Sequence, residues 1–153
     1  MSDEATAYHE AGHAVVALAL DRPVLKVSIL PGGDMLGQCK FDKGVNRPSD
    51  DWVEREILIA LAGMAAEARH TGLYARDGAA RDLKYARKLM LQRASERSLD
   101  RYEKRMLSKV ENLLFDDEHW AAVERIAAEL LKAKVISGRA ARHLFEQTRM
   151  DSQ

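Results

Sequence analysis

The chain has 153 residues, 46% of them hydrophobic, which is enough for one domain with a real core. Lys and Arg total 24 and Asp and Glu total 24, a balance that leaves no basic footprint for nucleic acid. The single cysteine, Cys39, excludes an internal disulfide, no leader follows Met1 and no apolar run reaches membrane-spanning length, so a soluble cytoplasmic protein without membrane or nucleic-acid partners is expected.

Residues 3–20, DEATAYHEAGHAVVALAL, read as the first helix. The stretch is alanine-rich with no proline, Ser2 or Asp3 can cap it, and acidic residues lie in its first turn. Inside it stands HEAGH, residues 9–13, the H-E-x-x-H pattern. On a helix His9 and His13 share one face and can reach one metal. Zinc suits two imidazoles plus an oxygen donor with one position left for water. Glu10, the next residue round the helix, is placed to take that water's proton rather than to bind the metal. With five histidines in the chain, a chance H-E-x-x-H has odds on the order of one in a hundred. The alternative is a surface helix with solvated histidines. Ala11, Ala14, Val15, Ala17 and Leu18 argue against it, because polar groups on a buried helix need partners. At Gly12 a side chain could crowd the metal or a neighbouring backbone.

Asp21, Arg22 and Pro23 end this helix. Residues 24–30 and 35–41 read as two strands around a turn at 31–34, a small hairpin in which Gly37 allows close backbone approach and an open edge could accept a peptide. A polar loop follows. Ser49 or Asp50 can cap a helix over 51–70 whose apolar side includes Trp52, Ile57, Leu61 and Ala62; Gly63, Ala65 and Ala66 allow it to pack closely, and Gly72 stops it. A third helix is expected over 79–95, with Asp82 in its first turn. Helices over 98–115, 118–133 and 138–147, capped by Ser98, Asp116 or Asp117, and Ser137, complete the chain. Cys39 reads as a buried small hydrophobe, Trp52 and Trp120 as packing residues, and His70, His119 and His143 as capping or surface histidines. The basic residues Arg81, Lys84, Arg87 and Lys88 read as a solvated or protein-partner face. The expected fold is α+β and mostly α-helical: a zincin-like motif helix, a small β-hairpin or sheet and a C-terminal helical bundle. Residues 1–95 form the metal-binding core, and 96–153 a helical extension of the same compact domain.

The phrase AYHEAGHAVVA resembles the peptidase domain of the FtsH family, the M41 zinc metalloproteases. PVLKVSILPGGDMLGQCKF (23–41), LAGMAAEARH (61–70), GAARDLKYARKLM (78–90) and the tail VERIAAELLKAKVISG are similar to further family phrases, in the expected order. The resemblance implies that His9 and His13 are metal ligands, Glu10 the catalytic glutamate and Asp82 the third zinc ligand. The residue reading of Asp82 alone favours a carboxylate interacting with the helix dipole, and only the resemblance turns it towards metal ligation. Glu67 matches the first glutamate of the family's A-A-E-E phrase and is a candidate for orienting a ligand imidazole, or else a helix-pair glutamate. Departures also stand out. Met64 replaces an arginine, Gly33 stands at another arginine, Ala68 replaces a glutamate, and LQRASERSLDRY lacks the family's W-G-M-S phrase. No membrane anchor or ATPase is expected ahead of the first peptidase helix, and the 153 residues contain no Walker A loop.

The expected function is therefore zinc-dependent hydrolysis of peptide bonds in peptides or unfolded segments. The alternatives are a catalytically silent adaptor or assembly partner, and a peptidase subunit, ring-forming or not, served by a separately encoded ATPase.

Overall fold

The computed structural model describes residues 2–32, 37–41 and 51–152. Helix α1 (Asp3–Ala19) begins where Ser2, in extended backbone, accepts the Ala5 N–H on its hydroxyl at 3.1 Å. Asp3 and Glu4 then meet the positive end of the helix. Every residue from Ala5 to Leu18 except Tyr8 is buried, so α1 is the central rod of the molecule. Its small side chains permit close neighbours. A Cβ added to Gly12 would lie 2.5 Å from the Ala66 Cβ and 2.7 Å from the Ala62 carbonyl oxygen, so the residue crowded here is the backbone of the next long helix.

That helix, α2 (Trp52–Thr71), is capped by the Asp51 carboxylate, which accepts the Glu54 N–H at 3.1 Å. Ser49 and Asp50, the caps expected from sequence, lie outside the described residues, as do residues 33–36 of the turn and second strand. Gly72 closes the helix with φ 83°, a left-handed conformation that costs glycine nothing. Trp52, expected on the apolar side, is 41% exposed. It occupies the first helical position, before α2 reaches its neighbours.

Among the described residues the sheet has three strands in the order β2-β1-β3. Strand β1 (Val24–Ser28) pairs antiparallel with β2 (Gln38–Phe41), with Val27 opposite Cys39, and with β3 (Val135–Ser137), with Val27 opposite Ile136. An irregularity in the register between Val24 and Lys26 explains the imperfect alternation, in which Val24, Val27 and Ser28 are buried and Leu25 is exposed. The third strand was not expected. Three residues between two helices are too few to display a period of two.

Helix α3 (Ala80–Met90) is shorter than the expected 79–95. Beyond Met90 the backbone tightens, with Gln92 and Arg93 donating to Leu89 and Met90 three residues back. Ser95 then accepts the Ser98 N–H and starts a 3₁₀ turn at Glu96–Ser98. Helix α4 (Leu99–Leu114) follows, without the side-chain cap expected from Ser98. Helix α5 (Asp117–Ala133) is capped by Asp116, and α6 (Gly138–Asp151) by Ser137. Helices α2 and α5 pack on α1, α4 packs on α2, and α6 lies against α5 and β1. The shared core includes Val15, Leu61, Met64, Met90, Met106, Ile126 and Leu130, all almost fully buried. Among the described residues, no helix is long and apolar enough to cross a membrane.

Candidate metal centre

Three polar atoms from two distant parts of the chain meet beside α1. The Nε2 atoms of His9 and His13 lie 3.2 Å apart, and Asp82 Oδ2 lies 2.9 Å from the first and 3.0 Å from the second. The four-residue spacing on α1 places both imidazoles on one face, and the first turn of α3 delivers the carboxylate. Among the described residues, this is the one group of His, Cys, Asp or Glu donors that could hold a metal ion.

The donor set fits zinc. Three ligands of a tetrahedral ion bonded at about 2.0–2.1 Å stand roughly 3.3 Å from one another, close to the separations found here. The protonation pattern also suits it. His13 Nδ1–H donates to the Ile59 carbonyl oxygen at 2.7 Å, which leaves Nε2 as the free base in the neutral ring. On His9, Nδ1 faces Glu67 Oε1 at 3.3 Å, close but too poorly aligned for a hydrogen bond, so this buried nitrogen has no well-formed partner. Glu67 is itself 4% exposed and is therefore a buried carboxylate beside an imidazole rather than a surface residue.

Electrostatics couple the group. Burial alone lowers the His9 pKa, but the hydrogen bond with Asp82, the Glu67 carboxylate beside Nδ1 and the charges of Glu10 and Asp82 reverse this and hold it up to about 10. Burial lowers His13 too, and the Asp82 charge brings it above its ordinary value. Burial pushes Asp82 up, yet the two imidazoles hold it well below the usual carboxylate range. Glu10 moves upward, because burial outweighs the pull of His13 and His9.

Glu10 lines a cavity of about 230 Å³ together with His13, Asp82, Cys39, Phe41 and Tyr85. Just before β2, Gly37 lies close to the same glutamate: a Cβ there would stand 3.2 Å from the Glu10 Cγ. Cys39, half-buried rather than buried as its sequence suggests, shares this cavity; burial raises its thiol well above the ordinary value and Glu10 and Asp82 add to the effect, which disfavours the thiolate. A larger groove of about 930 Å³ runs along the basic side of α3 and contains none of the donor residues. The remaining histidines stand apart. His70 pairs with Glu4 at 2.8 Å and stacks on Tyr8, His119 Nδ1–H donates to the Leu113 carbonyl, and His143 is exposed.

Of the residues expected from the sequence, His9, His13 and Asp82 come together, Glu10 lines the adjoining cavity and Glu67 lies beside His9. Sequence reasoning missed the Ile59 carbonyl, which carries no side-chain signature, and the closeness of Gly63 to both rings.

A helix carrying two histidines and a glutamate, a small antiparallel sheet beside it and a carboxylate from a later helix make up a zincin-like arrangement around a candidate His-His-Asp metal site. The chain belongs to peptidase family M41, whose family model it matches over residues 1–99. It is 36% identical over 104 residues to ATP-dependent zinc metalloprotease FtsH 4 of Sorangium cellulosum (strain So ce56), covering 63% of this chain and 16% of that protein. It is 45% identical over 71 residues to ATP-dependent zinc metalloprotease FtsH of Magnetococcus marinus (strain ATCC BAA-1437 / JCM 17883 / MC-1), covering 40% of this chain and 10% of that one. With the protein of the same name from Cupriavidus metallidurans (strain ATCC 43123 / DSM 2839 / NBRC 102507 / CH34), identity is 46% over 69 residues, 42% of this chain and 10% of the relative. The chain thus spans only 10–16% of the length of these curated relatives.

Proposed function

We propose that this chain hydrolyses peptide bonds in peptides or unfolded segments, with zinc held by His9, His13 and Asp82. The observation that carries the proposal is the convergence of those three donors within 2.9–3.2 Å beside the buried carboxylate of Glu10. Bound there, zinc supplies Lewis acidity, polarising a carbonyl and making a water easier to deprotonate. Glu10 takes the proton of the attacking water and returns it to the leaving amine. Asp82 holds its charge between the two rings. Ile59 fixes the tautomer of His13, and Glu67 orients His9 from the far side of its ring.

Substrate size follows from space. A cavity of about 230 Å³ admits an extended chain and a modest side chain, not a folded domain. Strand β2 is an outer strand of the sheet and brings Phe41 and Cys39 to the cavity, so its edge is the natural rail for an added substrate strand. A cytoplasmic setting belongs to this reading and is supported by the lone cysteine. So does the division into a catalytic part, residues 1–95, and a helical extension, since every proposed site residue falls in the first.

A second reading keeps the domain as a silent partner in a ring of relatives. Met64 and Ala68, two of the departures, are buried within this chain at 2% and 7% exposure and so act on its own packing rather than on a partner surface. Co-purification with a full-length relative tests the silent-partner reading, and no association would sink it; a strict monomer in solution would argue against a subunit served by a separately encoded ATPase.

The deciding experiment for the enzyme is metal content on protein purified without added metal, for the wild type and Glu10→Gln, with cleavage of an unstructured protein measured in parallel. About one zinc per chain in both, with cleavage by the wild type alone, is the expected result. Zinc in both with cleavage in neither would transfer the proposal to the silent partner.

A further inference from the structure

Two glycines lie in the contact between α1 and α2, and they are there for different reasons. A Cβ on Gly12 would strike the Ala66 Cβ and the Ala62 carbonyl oxygen, so Gly12 lets two helix backbones approach. A Cβ on Gly63 would lie 2.4 Å from His13 Nε2, 2.6 Å from His9 Nε2 and 2.7 Å from His9 Cδ2. Its three nearest atoms all belong to the two imidazoles, and two of them are the nitrogens of the metal centre. A methyl carbon needs more than about 3 Å from a ring nitrogen, so both rings would have to give way.

The rings have little freedom to do so while keeping their donors together. Both histidines are buried, at 5% and 6% exposure. His13 is tethered through Nδ1–H to Ile59, one helical turn before Gly63 on the same helix. One face of α2 therefore clamps the far nitrogen of His13 and leaves room for the near one. Glycine in a helix interior is otherwise a disadvantage, since alanine is the better helix former.

We propose that Gly63 is a positioning residue of the metal centre: its missing side chain keeps the space in which the Nε2 atoms of His9 and His13 converge, and a single methyl there abolishes metal binding while the fold survives. The proposal rests on the reading that His9 and His13 hold the metal.

The test uses the full chain in four forms: wild type, Gly63→Ala, the double variant His9→Ala/His13→Ala, and the triple variant adding Gly63→Ala to the double. Zinc affinity is measured against a calibrated chelator, and the melting temperature is measured for each metal-free protein. The expected result for Gly63→Ala is zinc affinity reduced at least a hundredfold with helical content retained. The triple variant should melt at or above the temperature of the double, because the imidazoles that the methyl would strike are gone and the helix gains an alanine. Zinc affinity of Gly63→Ala within threefold of wild type would overturn the proposal. So would a triple variant that melts well below the double, since Gly63 would then be a packing glycine like Gly12. If Gly63→Ala fails to fold, the triple variant decides alone: a folded one supports the role and an unfolded one overturns it. A wild type that takes up no zinc overturns the metal centre itself, and is told apart from failure at Gly63 by that first measurement.

Discussion

Two imidazole nitrogens 3.2 Å apart cannot both present bare lone pairs to each other; something positive must lie between them. In the metal-free protein a proton shared by the pair and stabilised by the adjacent Asp82 would meet that need. Zinc binds neutral imidazole, so it must displace what the pair holds. The sign is fixed by the direction of the shift. His9 is raised to about 10, hence between pH 6 and 8 protons compete with the metal, and raising the pH strengthens zinc binding. Affinity should change by about tenfold per pH unit for each proton released. Calorimetric titration with zinc in two buffers of different ionisation heat measures the release directly. A heat independent of buffer would mean that the pair is neutral before the metal arrives. At this scale the sequence was most legible where chemistry is local. His9, Glu10 and His13 lie within one helical turn and a half, and their spacing states their geometry. Asp82 is 69 residues beyond His13, and no local pattern joins them; only the resemblance to a family did. Gly63 was read as a packing residue, because a glycine's neighbours are set by the tertiary fold.

The elements are held in place by contacts that decide where Asp82 stands. Helix α3 is short and has no side-chain N-cap, so its own propensity does little to fix it. Glu103 of α4 does more. Its carboxylate, 9% exposed, accepts from Arg87 Nε at 2.8 Å and from Arg76 Nη2 at 2.9 Å, and so ties α3 and the segment before it to α4. Glu103→Ala should cost about 1.5 kcal/mol in urea unfolding, the low end of the range for hydrogen bonds to a charged group, because both arginines are partly exposed. It should also weaken zinc binding, although Glu103 touches no donor. Unchanged zinc affinity would show that α2 alone positions α3. The other end of the sheet has a similar lock. A Cβ on Gly138 would lie 1.6 Å from the Val24 carbonyl oxygen, and backbone cannot swing aside as a side-chain tip can. Gly138→Ala should therefore destabilise the protein near the top of the usual 1–3 kcal/mol range for overpacking, roughly 3 kcal/mol. A chemical-denaturation midpoint equal to wild type would contradict this contact. Among the described residues, five of the six helices were legible to within a few residues at both ends, since caps such as Ser2, Asp116 and Ser137 and the glycine at 72 announce them. Helix α3 was overextended because the competing cap at Ser95 was not weighed, and β3 was missed because pairing with β1 is a long-range event.

Across the whole molecule, the metal centre joins the first helix to the third, so an ion there binds the folded chain and has no comparable site in the unfolded one. Stability must then depend on metal concentration. A ligand present at about a thousand times its dissociation constant adds roughly 4 kcal/mol. For a chain of this size each kcal/mol moves the melting temperature by about 2–4 °C, so stripping zinc with a chelator should lower it by roughly 10 °C. The loss should be reversed by adding zinc back and should be absent in His13→Ala, which lacks a donor. That variant is the informative control. A chelator effect that persists in it would place the stabilising ion somewhere other than between α1 and α3. A wild type indifferent to chelation would mean that the three donors are held together by protons and packing alone, and that the convergence of His9, His13 and Asp82 owes nothing to zinc.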